Sequence, residues 1–296
     1  MSDATAKKHP FADARWIDSH CHLQAPEFAA DRDAVWSAAR AAGVTNALVP
    51  AVTLADCARV DACCARCAGL FPAYGIHPLF VAAVKETQLA RLAKRLARVR
   101  PQALGEIGLD GWVKDADFPR QCAFFAAQLK LARDFDLPVI LHVRKAIDAV
   151  LRHLRRFRVQ GGIAHAFNGS RRQADEFLRL GFKLGFGGSL TYSGSTRIRA
   201  LAQTLPDEAI VLETDAPDIP PSWRARCRNS PAELPAIGHV LAELRAAPIS
   251  HIAALTRRNT LAALGYPEPE EEPTDRETAR FQPPSIRIPA PARSIE

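Results

Sequence analysis

The amino-acid sequence predicts a (β/α)8 barrel, the TIM-barrel class, and three observations carry that expectation. Eight apolar runs of strand length alternate with stretches of helical period. Several runs are apolar throughout, as strands covered on both faces should be. The alternation fits within about 250 residues, the usual span of such a barrel. An open doubly wound sheet is the competing architecture, but no strand–turn–helix here carries the Gly-x-Gly-x-x-Gly fingerprint that would favour it.

The first strand is expected at Arg15–His22, where Trp16 and Ile17 lead into Asp18-Ser19-His20-Cys21-His22. An amphipathic helix at Asp31–Ala42 precedes the second strand, Thr45–Val52. The next helix, Leu54–Ala68, places Cys57, Val60, Cys64 and Cys67 on one stripe, where thiols serve as small buried hydrophobes. Cys64-Ala-Arg-Cys67 has the spacing of half a zinc knuckle, but no second pair exists to close a four-ligand site. The strand Leu70–His77 and helix Glu86–Val99 follow, then the strand Gln102–Asp110 and helix Pro119–Phe135. Pro138–Arg144, Gly161–Phe167 and Phe182–Gly188 are the fifth to seventh strands, followed by helices at Ala146–Phe157, Arg171–Leu180 and Thr196–Thr204. Ala209–Pro217 is the eighth strand, and helices at Pro231–Arg245 and Ser250–Leu264 close the series with one more helix than the repeat requires.

Residues 1–14 read as a polar N-terminal extension without an apolar signal core, and residues 15–266 as one TIM-barrel domain. Residues 267–296 read as a Pro/Glu-rich, disordered tail. The tail carries seven acidic against four basic residues, so the rest of the +7 chain holds +10. A basic body suits an anionic partner. Arg152, Arg155, Arg156 and Arg158 fall in and after the fifth helix, where a solvated helix face is the better account. No run has the length and purity of a membrane helix, so no membrane association is expected. The seven cysteines form no secreted framework, a cytoplasmic protein is the default, and no obligate protein partner is evident.

Five of the nine histidines fall in or at the ends of predicted strands: His20, His22, His77, His142 and His165. Glu106 and Asp215 also lie on strands. Residues two apart on a strand face the same way, so the imidazoles of His20 and His22 can converge on one ion. An acid inside an apolar strand is destabilising unless it is paired or bound to a cation. Any one of these side chains is explained as a hydrogen-bonded core residue. Six on five strands, all near the carboxyl rim where barrel chemistry sits, point to a metal site. Four histidines and two carboxylates suit two catalytic divalent ions. His20, His22 and Asp215 would take one ion and His142 and His165 the other, with Glu106 bridging. Asp18 and Glu213, two residues before ligands, should face inward and accept the spare ring N–H of a ligand histidine.

In these segments the chain resembles the TatD family of metal-dependent deoxyribonucleases, within the amidohydrolase-like barrels. The matching segments are Ile17-Asp18-Ser19-His20-Cys21-His22-Leu23, Gly75-Ile76-His77-Pro78, Gly105-Glu106-Ile107-Gly108-Leu109-Asp110 and Pro138-Val139-Ile140-Leu141-His142-Val143-Arg144. His165-Ala166-Phe167-Asn168-Gly169-Ser170, Leu212-Glu213-Thr214-Asp215-Ala216-Pro217 and Arg228-Asn229-Ser230-Pro231 complete the set. The resemblance implies a TIM barrel that hydrolyses DNA phosphodiesters, often from a 3′ end. The implied metal ligands are His20, His22, Glu106, His142, His165 and Asp215, and His77 and Arg144 are implied contacts to the scissile phosphate.

Departures from the family pattern fall on the rim. Leu79 stands where a second histidine often follows Gly-x-His-Pro, Ala166 and Asn168 alter the usual His-Cys-Phe-Ser-Gly, and Gly111-Trp112 replaces an aromatic pair. They bear on substrate preference more than on catalysis. The catalytic carboxylates are expected to be Asp215, taking a proton from the attacking water, and bridging Glu106. Imidazole-rich sites suit zinc, manganese or iron, whereas the resemblance implies magnesium-supported activity. The alternative on the same barrel is a deacylase, lactonase or deaminase. Many such enzymes place a modified lysine on the fourth strand, where this chain has Glu106. A non-catalytic binding protein is a third reading, and it would predict a missing ligand, whereas none is missing.

Overall fold

Eight parallel strands hydrogen-bond in sequence order: β1 (Trp16–Asp18), β2 (Val44–Pro50), β3 (Leu70–Tyr74), β4 (Ala103–Asp110), β5 (Val139–Arg144), β6 (Gly162–Ala164), β7 (Phe182–Phe186) and β8 (Ile210–Leu212). The structure, a computed structural model, describes residues 15–114 and 116–266. The expected N-terminal extension at 1–14 and tail at 267–296 lie outside the described residues. Closure between β8 and β1 is made just past the strand ends. Ser19 N donates to Leu212 O at 3.0 Å, Asp215 N to His20 O at 2.9 Å and His22 N to Ala216 O at 2.8 Å. The segments that seal the barrel are thus the ones carrying His20, His22 and Asp215.

Helices α1 (Arg32–Ala41), α2 (Cys57–Arg66), α3 (Thr87–Val99), α4 (Phe118–Asp134), α5 (Ile147–Phe157), α6 (Arg171–Arg179) and α7 (Thr196–Thr204) connect successive strands. Helix α8 (Leu234–Arg245) follows β8, and α9 (Ile249–Ala263) is the extra helix. Local signals set several boundaries. The Ser170 hydroxyl and the Gln173 side chain form a reciprocal capping box at the start of α6. Asp117 accepts from Arg120 N at the start of α4, where Pro119 occupies the first turn. On α2 the buried cysteines are Cys57 and Cys63, with Cys67 just past the helix end, and Cys64 is only half-buried. The expected stripe holds at Cys57, Val60 and Cys67, with Cys63 buried beside the half-buried Cys64. Among the described residues no helix is long and apolar enough to cross a membrane.

The core has two parts. The larger lies between sheet and helices and takes Leu141 from β5 and Ile210 and Leu212 from β8. The smaller gathers Leu48, Ala73, Ala103, Ile140, Ile163 and Val211, one from each of six strands, and is closed by Ala263 and Leu264 at the end of α9. The smaller cluster is the barrel interior. Two residues beyond Ile140, Ile163 and Val211 on the same face stand His142, His165 and Glu213. An apolar plug thus supports a polar layer above it. Strand β4 breaks this parity, because its pairing with β5 shifts register between Leu104 and Ile107. That irregularity turns Glu106, three residues after Ala103, toward the interior.

Trp16 is fully buried, and α8 reaches it through Gly238, where an added Cβ would lie 2.6 Å from Trp16 Cζ3. Alanine is the better helix former by about 1 kcal/mol. Overpacking against a buried indole costs about 1–3 kcal/mol and should outweigh that gain. Gly238→Ala is therefore expected to lower the urea midpoint without changing the slope of the transition, and an unchanged or raised midpoint would show that α8 simply moves away.

Candidate metal centre

The site is a cleft of about 1320 Å³ at the carboxyl end of the barrel. His20 and His22 do not lie on a strand as expected, since β1 ends at Asp18, and His77, His165 and Asp215 likewise stand beyond the ends of β3, β6 and β8. His20 and His22 keep a strand-like alternation through other bonds: Cys21 N donates to Leu48 O at 3.0 Å, while Ser19 and His22 bond toward the β8 side. Their Nε2 atoms converge to 3.2 Å. Asp215 follows β8 with φ 55°, a left-handed conformation held by its N–H on His20 O and by Asp218 N donating to its carbonyl at 2.8 Å. Asp tolerates that region better than most residues.

Glu106 stands at the centre, and its two oxygens face different groups. Oε2 lies 3.3 Å from Nε2 of both His20 and His22. Asp215 Oδ1 completes that group, 3.4 Å from His20 Nε2 and 3.7 Å from His22 Nε2. Oε1 lies 3.0 Å from His142 Nδ1 and 2.9 Å from His165 Nε2, and these two nitrogens are 3.4 Å apart. All six expected ligands therefore meet at one place. A tetrahedral ion with bonds of about 2.0–2.1 Å spaces its ligand atoms about 3.3–3.4 Å apart. The group around Oε2, at 3.2 to 3.7 Å, brackets that spacing, whereas Oε1 lies at hydrogen-bond length from His142 and His165; the donor types fit divalent ions.

Ring orientation supports the fit. His22 Nδ1 lies 3.2 Å from Pro50 O, so on the neutral ring it carries the proton and leaves the Nε2 lone pair facing inward. The Gln24 amide donates to the same carbonyl at 2.9 Å and to Asp56 Oδ2 at 3.1 Å. His142 Nε2 lies 3.0 Å from Asp110 Oδ2, so on the neutral ring it carries the proton and the Nδ1 lone pair would face Glu106. Two lone-pair atoms 3.0 Å apart repel unless a proton or cation lies between them. His77 is different. Its Nδ1 accepts from Leu79 N at 3.2 Å, so its Nε2 carries the hydrogen and points at Glu106 Oε1, 3.4 Å away. Arg144 lines the cleft with its guanidinium over Trp112.

Asp18 and Glu213 face inward but do not hold histidine rings. Asp18 accepts from the backbone N of His20 at 3.2 Å and of Thr214 at 2.9 Å, and from the Thr214 hydroxyl at 2.5 Å. It ties β1 to the segment after β8. Glu213 accepts from Ala166 N at 2.5 Å, while His165 Nδ1 is 3.8 Å away, beyond hydrogen-bond reach. Both carboxylates satisfy backbone N–H groups first because these lie closer. Asp110 does the ring-holding work instead. Its position four residues after Glu106 on one strand was the available signal. Asn229, fully buried, donates to Thr214 O at 2.8 Å and Asp218 O at 2.9 Å and so anchors the loop carrying Asp215. Its segment is part of the resemblance, but nothing local in the sequence marks that role.

Burial opposes charge throughout the cluster, and the outcome depends on each partner. Burial raises Glu106, yet the imidazoles of His165, His77 and His20 outweigh it and hold the carboxyl well below its ordinary value. Burial lowers His22 and His165, but Glu106 outweighs it and brings them to about 9 and about 10. Burial and neighbouring His165 push His20 well below the usual imidazole range. Burial also raises Asp215, and it pushes Asp18 to about 7 and Glu213 to about 8. Protons on His22 and His165 thus balance Glu106 where cations would otherwise do so.

The family model for TatD related DNase matches residues 17–265. An Escherichia coli (strain K12) protein named as an uncharacterized metal-dependent hydrolase, YjjV, is 39% identical over 257 residues, covering 86% of this chain and 99% of its own. The Klebsiella pneumoniae (strain 342) protein named 3'-5' ssDNA/RNA exonuclease TatD is 33% identical over 259 residues, 84% of this chain and 97% of its own. The crystal structure of the Escherichia coli K12 YjjV, described as a TatD homolog, superimposes with a TM-score of 0.82 at 38% identity, covering 86% of this chain and 99% of that one. The barrel, the clustered donors and these likenesses agree: the chain belongs to the TatD related DNase family and is a metal-dependent hydrolase of that type.

Proposed function

We propose that this chain is a deoxyribonuclease that hydrolyses DNA phosphodiesters from a 3′ end, with two divalent ions held around Glu106. The observation that carries the reading is the division of Glu106: one oxygen faces His20, His22 and Asp215, the other His142 and His165. A carboxylate divided in this way would hold two divalent ions, which would supply a clamp for a displacement at phosphorus. The exonuclease name of the 33% identical relative supports the choice of substrate. Magnesium, zinc and manganese are the candidate ions. All seven cysteines are free, which suits the reducing cytoplasm.

Divalent ions, when bound, lower the pKa of water and polarise a phosphoryl oxygen. The chain's own groups do the rest. Asp215, whose proton affinity burial raises, takes the proton of the attacking water. Burial keeps His77 neutral, and its Nε2–H donates to a phosphoryl oxygen. The Arg144 guanidinium adds a fixed positive charge at the cleft wall. Asp110 holds the His142 ring, and Asn229 holds the loop of Asp215.

Digestion of end-labelled single- and double-stranded DNA, beside a bis-aryl phosphate and N-acyl substrates, tests the reading with and without added metal. Metal-dependent shortening from the 3′ end is expected, whereas hydrolysis of N-acyl substrates alone would replace it with a deacylase. Asp215→Asn should abolish turnover while circular dichroism and thermal unfolding remain those of a folded barrel, and retained phosphodiesterase activity would remove Asp215 from the mechanism. Asp110→Asn should weaken metal affinity or activity about 10- to 100-fold, as loss of a ring-holding partner does.

Metal binding must displace the protons of His22 and His165, so loading near pH 7 should release protons, seen in calorimetry as a heat that varies with buffer ionisation enthalpy. The sign for stability follows from raised values. In the ion-free protein these two histidines stabilise the fold fully below pH 6.5, and that contribution is lost as pH rises through about 9 to 10. The gain in Tm on adding metal should therefore be larger at pH 8.5 than at pH 6.5, and an equal gain would show that these histidines do not exchange protons for metal.

A further inference from the structure

The chemistry above leaves an apolar shelf on one wall of the cleft unused. Six large hydrophobic side chains stand exposed among the described residues, and Leu79, Phe80, Trp112 and Val113 all lie on the segments that follow β3 and β4. Leu79, Phe80 and Trp112 line the same cleft as Glu106 and His142. Trp112 is 55% exposed, more than any of the others. Its backbone is anchored, because Trp112 N donates to Asp110 Oδ1 at 2.8 Å while the other oxygen of that carboxylate holds His142. Arg144 Cζ lies 4.9 Å and Lys145 Nζ 5.7 Å from the indole centroid. The Phe80 ring stands with its centroid 6.0 Å from that of His77.

An indole kept in water beside two cations, in the same cleft as the phosphate-directed His77, suits a ligand with flat apolar faces and an adjoining negative charge. We propose that Trp112 is a specificity-determining residue: it stacks the unpaired base of a terminal nucleotide, with Phe80 beside it, while Arg144 and Lys145 face the adjoining phosphate. This rests on the nuclease reading above and deepens it to single-stranded ends. In a duplex the terminal base is paired and stacked on its neighbour, and freeing it costs free energy. An uncharged acyl group would leave Arg144 and Lys145 without a role.

The test compares kcat/KM on oligothymidylate with its terminal base present and with that residue replaced by an abasic tetrahydrofuran. Trp112→Ala should lower kcat/KM on the base-bearing strand about 5- to 100-fold, chiefly through KM, the range of one lost base–aromatic stack. The abasic end should cost the wild type a similar factor, the two changes together should cost little more than either, and Trp112→Phe should recover most of the loss. Trp223→Ala removes an indole that is 47% exposed but outside the cleft, and should change nothing. Equal losses for Trp112→Ala on both strands would overturn the stacking role. Quenching of indole emission by oligothymidylate in Trp223→Phe, lost on further Trp112→Ala, is the direct binding readout. If the metal-loaded wild type cuts no oligonucleotide, the nuclease reading fails, and that quenching then decides whether the platform stands. Absence of quenching overturns the platform whether or not strands are cut.

Discussion

Three backbone hydrogen bonds join the segments leaving β8 and β1, and the rest of the site depends on them. They close the barrel just past its shortest strands, and they run through His20, His22 and Asp215. Closure and ligand placement are therefore one event. Asp18 reinforces the seam from within, accepting from the backbone of His20 and from both the backbone and hydroxyl of Thr214. Asn229 reinforces it from outside through the loop after β8. Six polar donors converge because the backbone beneath them has little freedom to relax.

That convergence is electrostatically expensive without positive charge. Glu106 is almost fully buried, and burial alone would neutralise it. Surrounding imidazoles hold it ionised instead, at the expense of keeping His22 and His165 protonated. Cations fit where these protons sit, so metal binding would exchange one for the other. The apolar layer beneath, from Leu48 to Val211 and capped by α9, excludes water from the underside of the cluster and so strengthens each of these interactions.

Much of this was legible in the chain before folding. Alternating runs and breakers gave the eight strands and the extra helix, and the position of polar residues at strand ends gave the six converging side chains. The same reasoning placed His20 and His22 on a strand, where the structure has a strand-like segment beyond it. It gave ring-holding roles to Asp18 and Glu213, because inward parity does not say which donor lies nearest. Asp110 shares a face of β4 with Glu106, but the ring it holds comes from β5, which the β4 sequence does not reveal.

Periodicity and residue type are local properties, and they suffice for the barrel, the identity of the donors and their approach to one rim. How the donors divide is a property of the folded barrel. The division depends on a register shift in β4 that turns Glu106 inward, on contacts between residues 32 to 196 positions apart in the chain, such as His142 with Asp110 and Thr214 with Asp18, and on a seam that no single segment encodes. Such long-range pairings are set by which strands lie side by side, and one strand's pattern carries no record of its neighbour's offset.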